Sequence, residues 1–125
     1  MPLIQQRLVF AALLLVLAVT FLVYQPGLSG TFVFDDVPNI VRNENLAITS
    51  LDSNSLRQAA FSSSSGPLGR PISMLSFAAN YYLTGFHPFF FKLTNLVIHL
   101  LNGVGIFAVS SLLLGIYRRR FEPEL

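Results

Sequence analysis

Two long apolar runs constrain the fold of this chain more than any other feature of its sequence. The first extends from Leu8 to Tyr24 and the second from Leu93 to Tyr117, and neither contains a full charge. A helix needs about 20 mostly apolar residues to cross a bilayer, so the second run can cross with some tilt and the first lies near the lower limit. Only 11% of the residues are charged and the mean hydropathy is +0.61. The sequence therefore predicts an all-α membrane protein with two transmembrane helices.

Local signals divide the chain into five segments. Gln25-Pro26-Gly27 ends the first helix, and Pro88 suits the first position of the second. We expect an N-terminus (1–7), a transmembrane helix (8–24), a long loop (25–87), a second transmembrane helix with its interfacial start (88–117) and a basic tail (118–125). Phe86, Phe89, Phe90 and Phe91 would form an aromatic belt where the second helix enters the membrane.

The basic residues predict the orientation of the two helices. Arg7 and the run Arg118 to Arg120 lie just outside the two apolar runs, and such residues favour the cytoplasmic side. We therefore expect an integral protein of the bacterial inner membrane with both termini in the cytoplasm and an extracytoplasmic loop. The alternative is that the first run is a secretory signal, for which Leu28-Ser29-Gly30 is a poor cleavage site.

Two short amphipathic juxtamembrane helices are predicted within the loop. The first covers Ser53 to Phe61, where Asp52 or Ser53 can cap its N-terminus. The second is opened by Pro71 and ended by Gly85. Its Phe77, Tyr81 and Tyr82 suit a helix lying on the membrane surface. The serine-rich tract between the two helices, residues 62–67, predicts a flexible connector.

The adjacent carboxylates Asp35 and Asp36 are the first candidates for chemistry. They follow the extended run Thr31 to Phe34, and Pro38 biases Val37 away from helix. Two shielded carboxylates would titrate together, so one can act as a general base, or the pair can hold a divalent cation. The alternative is a turn in which aspartate side chains accept hydrogen bonds from nearby backbone amides. We predict no cofactor, since residue types alone do not require the cation.

A second group of candidates lies on the second apolar run. Helical geometry places its polar and small residues within an arc of about 100°: Lys92, Asn95, His99, Asn102, Gly103 and Ser110. Such a stripe predicts further transmembrane helices or a partner membrane protein, either through hydrogen bonds between helices or around a cavity. If the stripe makes hydrogen bonds between helices its role is structural, and if it lines a cavity it can contact substrate.

Arg70, before the second loop helix, can meet a phosphate or a carboxylate such as Asp36, or can stay solvated.

Several functional classes are excluded by what the sequence lacks. The chain contains no cysteine, which excludes disulfide frameworks, thiol nucleophiles and cysteine-bound metals. It has no phosphate-binding glycine loop, serine-nucleophile elbow or zinc motif. The run Arg118 to Arg120 is explained as a topological anchor, so we expect no nucleic-acid partner and a lipid bilayer instead.

The order of the remaining motifs resembles a known family. Six short motifs follow the first apolar run in this order: Thr31-Phe32-Val33-Phe34-Asp35-Asp36, Asn43 with Ile48, Gly69-Arg70-Pro71-Ile72-Ser73-Met74-Leu75-Ser76-Phe77, Asn80-Tyr81, Gly85-Phe86-His87-Pro88, and Asn95-Leu96-Val97-Ile98-His99-Leu100-Leu101-Asn102. Roughly from Leu8 to Phe107, this resembles the N-terminal region of GT-C glycosyltransferases. It is most similar to the protein O-mannosyltransferase-like membrane proteins with tetratricopeptide repeats.

The resemblance implies an enzyme that transfers sugar from a polyprenyl-phosphate donor to an acceptor hydroxyl. It places Asp35 and Asp36 in the acidic motif of the first extracytoplasmic loop, where one of them would deprotonate or orient the acceptor. It makes Arg70 a candidate substrate-binding residue and His99 and Asn102 packing residues.

The chain departs from that family in having two predicted spans where the family has many. We therefore expect an N-terminal fragment of such an enzyme that is inactive alone. The alternative is a non-catalytic membrane hairpin that binds a partner membrane protein through the polar stripe at Asn95, His99 and Asn102.

Overall fold

A computed structural model describes residues 3–63, 66 and 68–121 of the chain. These residues form two compact units. The described parts of residues 1–25 and 96–125 make up the first unit, and residues 26–95 make up the second. Three residues of the predicted serine-rich connector, at positions 64, 65 and 67, lie outside the described residues.

The first unit consists of two long apolar helices. Helix α1 covers Leu3–Tyr24, and helix α4 covers Pro88–Phe121 and gives its later part to this unit. Both are long and apolar enough to cross a membrane. α1 extends further toward the N-terminus than the apolar run alone indicated, and α4 begins at Pro88, where the sequence placed it. The chain is an all-α membrane protein.

α1 and α4 contact each other within this unit. A Cβ atom added at Gly103 would lie 3.6 Å from the Leu17 side chain, so the glycine allows the two helices to approach closely. The Tyr24 and His99 rings are 5.6 Å apart. α1 therefore packs against the edge of the predicted polar stripe.

Besides the start of α4, the described residues of the second unit form short helices. In chain order they are a 3₁₀-helix at Gln25–Ser29, a π-helical turn at Val37–Val41, a 3₁₀-turn at Glu44–Leu46, and the α-helices α2 (Ser53–Ala60) and α3 (Pro71–Thr84). Both α2 and α3 lie where the sequence predicted them. Gly85, with φ of 66°, ends α3 as expected.

The prediction that Pro38 keeps Val37 out of helical structure is wrong. Val37 opens the π-helical turn, and Asp36 just before it already has helical backbone angles. The proline lies in the first turn, where its missing N–H has no helical partner to lose. The acidic pair therefore enters a helical turn and does not end an extended segment.

The core of the second unit joins most of its elements. Its buried side chains come from the π-turn, the segment after it, both loop helices and α4: Ile40, Leu46, Ile48, Ala59, Met74, Ala78 and Phe91. Phe91 is only 2% exposed and contacts the rings of Phe32 and Phe77 at 5.4 and 5.9 Å. A ring of this size in a fully desolvated position makes Phe91 the largest single anchor of the core.

This packing corrects two predictions about aromatic residues. Phe77 and Tyr81 pack against the core and do not form the exposed surface of α3. Phe91 is buried and cannot belong to an interfacial belt, whereas Phe86, Phe89 and Phe90 are each a little over one-third exposed. The aromatic residues of this region serve mainly to attach α3 to α4.

A buried hydrogen bond adds to that attachment. Asn80 is 8% exposed, and its Oδ1 accepts a hydrogen bond from the Thr94 hydroxyl at 3.0 Å. Its Nδ2 donates to the Ser76 carbonyl at 3.0 Å. Both ends of the Asn80 amide are thus bonded, which is what a buried polar side chain requires.

Removing the Thr94 hydroxyl should destabilise the second unit. Thr94→Val preserves the shape but leaves the buried Asn80 oxygen unpaired, at a cost of about 1–3 kcal/mol. We expect a lower midpoint of thermal unfolding in detergent. Thr20→Val is the matched control, because the Thr20 hydroxyl bonds only the Val16 carbonyl of its own helix. Equal midpoints for the two variants would contradict this role of Thr94.

Asp52 caps α2, as predicted. Its Oδ1 accepts from the backbone amides of Asn54 and Ser55 at 2.9 and 3.0 Å. The hydroxyls of Ser50 and Ser55 donate to Oδ2. These bonds, that of Ser50 first, hold the pKa of Asp52 below its ordinary value.

The cap should make α2 sensitive to acid. Because the folded-state pKa is lowered, ionised Asp52 stabilises the fold above the unfolded carboxyl's pKa of about 3.9, and this contribution is lost as the pH falls below it. The natural chain should therefore have a higher free energy of unfolding than Asp52→Asn. This difference should be constant from pH 7 to about pH 5 and should shrink below about pH 4. Thermal melts at each pH measure it, and a difference that grows on acidification would contradict the assignment.

Candidate functional site

A cleft of about 130 Å³ in the second unit brings together the acidic pair and Arg70. Its walls come from the π-turn, the end of the α2 segment and the first half of α3: Asp35, Asp36, Asn39, Ile40, Ser63, Arg70, Ser73, Met74 and Phe77. Three candidates that are separated by up to 35 positions in the sequence thus line one small cavity, together with polar residues and with residues of the core.

Asp36 is held in place by the backbone of its own turn. Its Oδ2 accepts a hydrogen bond from the Val33 amide at 3.1 Å, and the Asp36 amide donates to the Val33 carbonyl at 3.0 Å. The turn interpretation of the acidic pair is therefore confirmed for Asp36. The two bonds fix the orientation of this half-buried carboxylate.

Asp35 differs from its neighbour in exposure. Its side chain is exposed, while its backbone carbonyl accepts from the Asn39 side chain at 2.9 Å and from the Asn39 amide at 3.2 Å. The backbone at Asp35 is thus fixed by the π-turn, and the residue lines the cleft. Of the two acids, Asp35 is the more exposed residue.

Two residues at the cleft have left-handed backbone conformations. Phe34, directly before the acidic pair, has φ of 48°, and Arg70 has φ of 52°. A residue with a side chain pays about 1–3 kcal/mol for such a conformation, and these positions cluster at functional sites. Phe34 is also 90% exposed, so no packing of its ring explains the conformation. The sharp reversal turns the chain into the π-turn that carries both aspartates.

Arg70 lines the cleft without neutralising the acidic pair. It precedes Pro71 at the N-terminus of α3, and its side chain is exposed. Within the described residues no ion pair of 4.0 Å or less joins Arg70 to either aspartate, so of the alternatives left open by the sequence the contact with Asp36 is not formed. Arg70 therefore contributes a positively charged residue to a cleft that both aspartates also line.

A buried asparagine braces the wall between the π-turn and α2. Asn43 is 9% exposed, and its Nδ2 donates to the Ser62 hydroxyl at 2.8 Å and to the Asn39 carbonyl at 3.2 Å. The Ser62 hydroxyl in turn donates to the Ala59 carbonyl at 2.8 Å. The sequence singled out Asn43 only as part of a motif. In the structure its side chain connects the segment that carries the acidic pair to the end of α2.

The polar stripe of α4 lies elsewhere and does not contribute to this cleft. Asn95, His99 and Asn102 are exposed side chains of α4. Asn102 borders a shallow groove together with Gly105 and Ser110 and the apolar residues Leu101, Ile106 and Val109. The face of α4 that carries Asn102 is thus uncovered within the described residues.

The cleft can support proton transfer and anion binding. It offers two carboxylates of different exposure and one guanidinium, which suits paired carboxylate and phosphate chemistry. Among the described residues, no three or more His, Cys, Asp and Glu side chains lie close enough to hold a metal ion together. The sequence analysis did not propose the other residues that line the cleft: Asn39, Ile40, Ser63, Ser73, Met74 and Phe77. Ser73, Met74 and Phe77 belong to the motif that begins at Gly69, but only the packing of α3 onto the core brings them to the cleft.

Comparison with known proteins identifies the relatives of this chain. It is 36% identical to the human protein O-mannosyl-transferase TMTC4 over 107 residues, which cover 81% of the chain and 14% of that protein. It is 37% identical to the mouse protein O-mannosyl-transferase TMTC1 over 90 residues, which cover 64% of the chain and 9% of that protein. The chain is a partial homologue of the protein O-mannosyl-transferases.

The predicted resemblance to protein O-mannosyl-transferases is therefore confirmed. The mouse TMTC4 protein shows the same degree of similarity, 34% identity over 112 residues that cover 85% of the chain. The chain spans only about one-seventh of the length of these TMTC4 relatives. No protein-family model matches it, and no solved structure matches it. The chain is an integral membrane protein related to glycosyltransferases.

Proposed function

We propose that this chain forms the acid-bearing membrane module of a GT-C glycosyltransferase. In this proposal the module works with further membrane segments to transfer a sugar, mannose in view of its relatives' names, from a polyprenyl-phosphate donor to an acceptor hydroxyl. The observation that carries the proposal is the shared cleft of Asp35, Asp36 and Arg70. General-base and phosphate-binding groups are the two kinds of side chain that such a transfer needs.

Asp35 is the proposed general base. In the reaction the acceptor oxygen attacks the anomeric carbon, the bond from that carbon to the donor's phosphate oxygen breaks, and the acceptor proton passes to a carboxylate. Asp35 is exposed in the cleft, whereas one oxygen of Asp36 already accepts from the Val33 amide. The acceptor hydroxyl therefore reaches Asp35 more easily, and Asp36 acts as a positioning residue that fixes the turn.

Arg70 is the proposed contact for the donor phosphate. A guanidinium binds phosphate oxygens through two parallel charge-assisted hydrogen bonds. Arg70 lines the cleft with no carboxylate bound within the described residues, so its donors can serve a ligand. Arg70 and Ser73, which both line the cleft, lie at the N-terminus of α3, and the dipole at this end of a helix favours an anion.

The remaining elements of the enzyme would come from other membrane helices. The aligned residues cover only 14% of the human TMTC4 relative, so the chain alone is proposed to be inactive. The uncovered groove of α4 at Asn102, Gly105 and Ser110 is the proposed contact for those helices, since an amide at membrane depth favours a hydrogen-bonding helix over lipid. We further propose that both termini face the cytoplasm, which places the cleft on the opposite side of the membrane.

A chimera provides the direct test of the acid pair. The segment of human TMTC4 that aligns with this chain is replaced by this chain's residues, and transfer from a polyprenyl-phosphate-linked mannose is measured in membranes. Asp35→Asn should lower kcat by a factor of about 10² to 10⁴, the usual contribution of a general base. Asp36→Asn should have a smaller effect, because the asparagine oxygen still accepts from the Val33 amide.

The matched control is Glu44→Gln. Glu44 is an exposed carboxylate of the same unit that does not line the cleft, so its replacement should leave transfer unchanged. Full activity of the chimera with both Asp35→Asn and Asp36→Asn would overturn the proposal. An effect of Glu44→Gln as large as that of Asp35→Asn would show that charge in general, and not the cleft, is responsible.

A further inference from the structure

Helix α3 is apolar on both of its faces. One face packs into the core through Met74, Phe77, Ala78 and Tyr81. The opposite face is exposed: Ile72 is 83% and Leu83 is 77% exposed, with Leu75 at 36% and Tyr82 at 44%. The helix contains no charged residue. A polar outer face is the rule for a helix that lies in water, so this surface requires another explanation.

The exposed residues form a continuous stripe. At about 100° per residue, Ile72, Leu75, Ala79, Tyr82 and Leu83 fall within an arc of about 100° on the helix surface. Four of the five are large and apolar or aromatic, and Tyr82 has the apolar ring and polar tip that are typical of the boundary between water and lipid. The stripe is wide enough to bury one side of the helix along most of its length.

Chain connectivity fixes α3 next to a membrane-spanning helix. Only residues 85–87 separate the end of α3 at Thr84 from the start of α4 at Pro88. The Asn80–Thr94 hydrogen bond and the Phe77–Phe91 contact hold α3 against the first turns of α4. The exposed stripe is therefore tied to the end of a helix that enters the bilayer.

We propose that the exposed stripe of α3 is a lipid-binding surface that lies in the interface of the bilayer. An uncharged helix with an apolar face buries that face at the level of the headgroups and upper acyl chains. The sequence-based expectation assigned the membrane surface to Phe77, Tyr81 and Tyr82; of these only Tyr82 belongs to the stripe, because Phe77 and Tyr81 pack against the core. The lipid-facing residues are instead on the opposite side of the same helix.

The position of the cleft follows from this surface. The α3 residues that line the cleft, Ser73, Met74 and Phe77, are centred roughly 170° around the helix from the stripe. With the stripe in lipid, α3 lies between the bilayer and the cleft, and Asp35 faces the aqueous side. If the proposed function is correct, the sugar and phosphate of a lipid-linked donor must extend past α3 to reach the acids.

Single-cysteine labelling tests the surface directly, because the natural chain contains no cysteine. Ile72→Cys, Leu83→Cys and Ser73→Cys variants of the full chain are labelled with an environment-sensitive fluorophore and placed in phosphatidylcholine vesicles that contain a nitroxide-labelled lipid. Ser73 is the matched control, since it adjoins Ile72 but is exposed on the cleft side. Circular dichroism checks that each variant keeps its helices.

We expect lipid nitroxides to quench the labels at 72 and 83 at least about twofold more than the label at 73, and aqueous iodide to show the reverse order. Equal lipid quenching at 72 and 73 would overturn the proposal. Protection of the labels at 72 and 83 from both quenchers would also overturn it and would assign the stripe to a protein contact. Because the measurement does not depend on sugar transfer, its failure leaves the proposed function to be judged by the chimera alone.

Discussion

The attachment of α3 to the first turns of α4 is the interaction on which the rest of the second unit depends. Phe91 fills the centre of the core between Phe32 and Phe77, and Asn80 and Thr94 add a buried hydrogen bond beside it. Burial of a phenylalanine side chain contributes about 1.5–3 kcal/mol, which is large for a unit of this size. Because Ser73, Met74 and Phe77 of α3 line the cleft, the same contacts that stabilise the fold also bring Arg70 to the cleft that the acidic pair lines.

The apolar residues of the chain serve two separate purposes. α1 and α4 carry them as membrane-spanning segments, where every backbone polar group is satisfied within the helix. α3 has apolar residues on both faces: one face packs into the core, and we assign the other to lipid. The charged residues of the cleft come instead from the turns: Asp35 and Asp36 enter a π-helical turn and Arg70 precedes α3. Turns of this kind place charged side chains beside α3, which itself contains no charged residue.

The helices could be predicted from the sequence because their limits depend on local chemistry. Asp52 at an N-cap, Gly85 at a C-terminus and Pro88 at a first helical position act through the backbone within a few residues. The buried face of α3 could not be predicted in the same way, since apolar residues occur on all sides of that helix and only tertiary packing selects Phe77 over Ile72. The left-handed conformation of Phe34 had no sequence signal, because aromatic residues rarely adopt it. The convergence of Arg70 with the acidic pair likewise depends on the folding of the intervening α2.

The central claim is that the Asp35 carboxylate receives the acceptor proton, and chemical rescue tests it most directly. Asp35→Ala in the TMTC4 chimera leaves space beside a cleft of about 130 Å³, which a formate ion can enter. We expect added formate to restore sugar transfer by Asp35→Ala in a saturable manner and to leave Asp36→Ala unchanged, because the loss there is one of turn geometry. Rescue of Asp36→Ala alone, or no rescue of Asp35→Ala at any formate concentration, would contradict the assignment of Asp35 as the base.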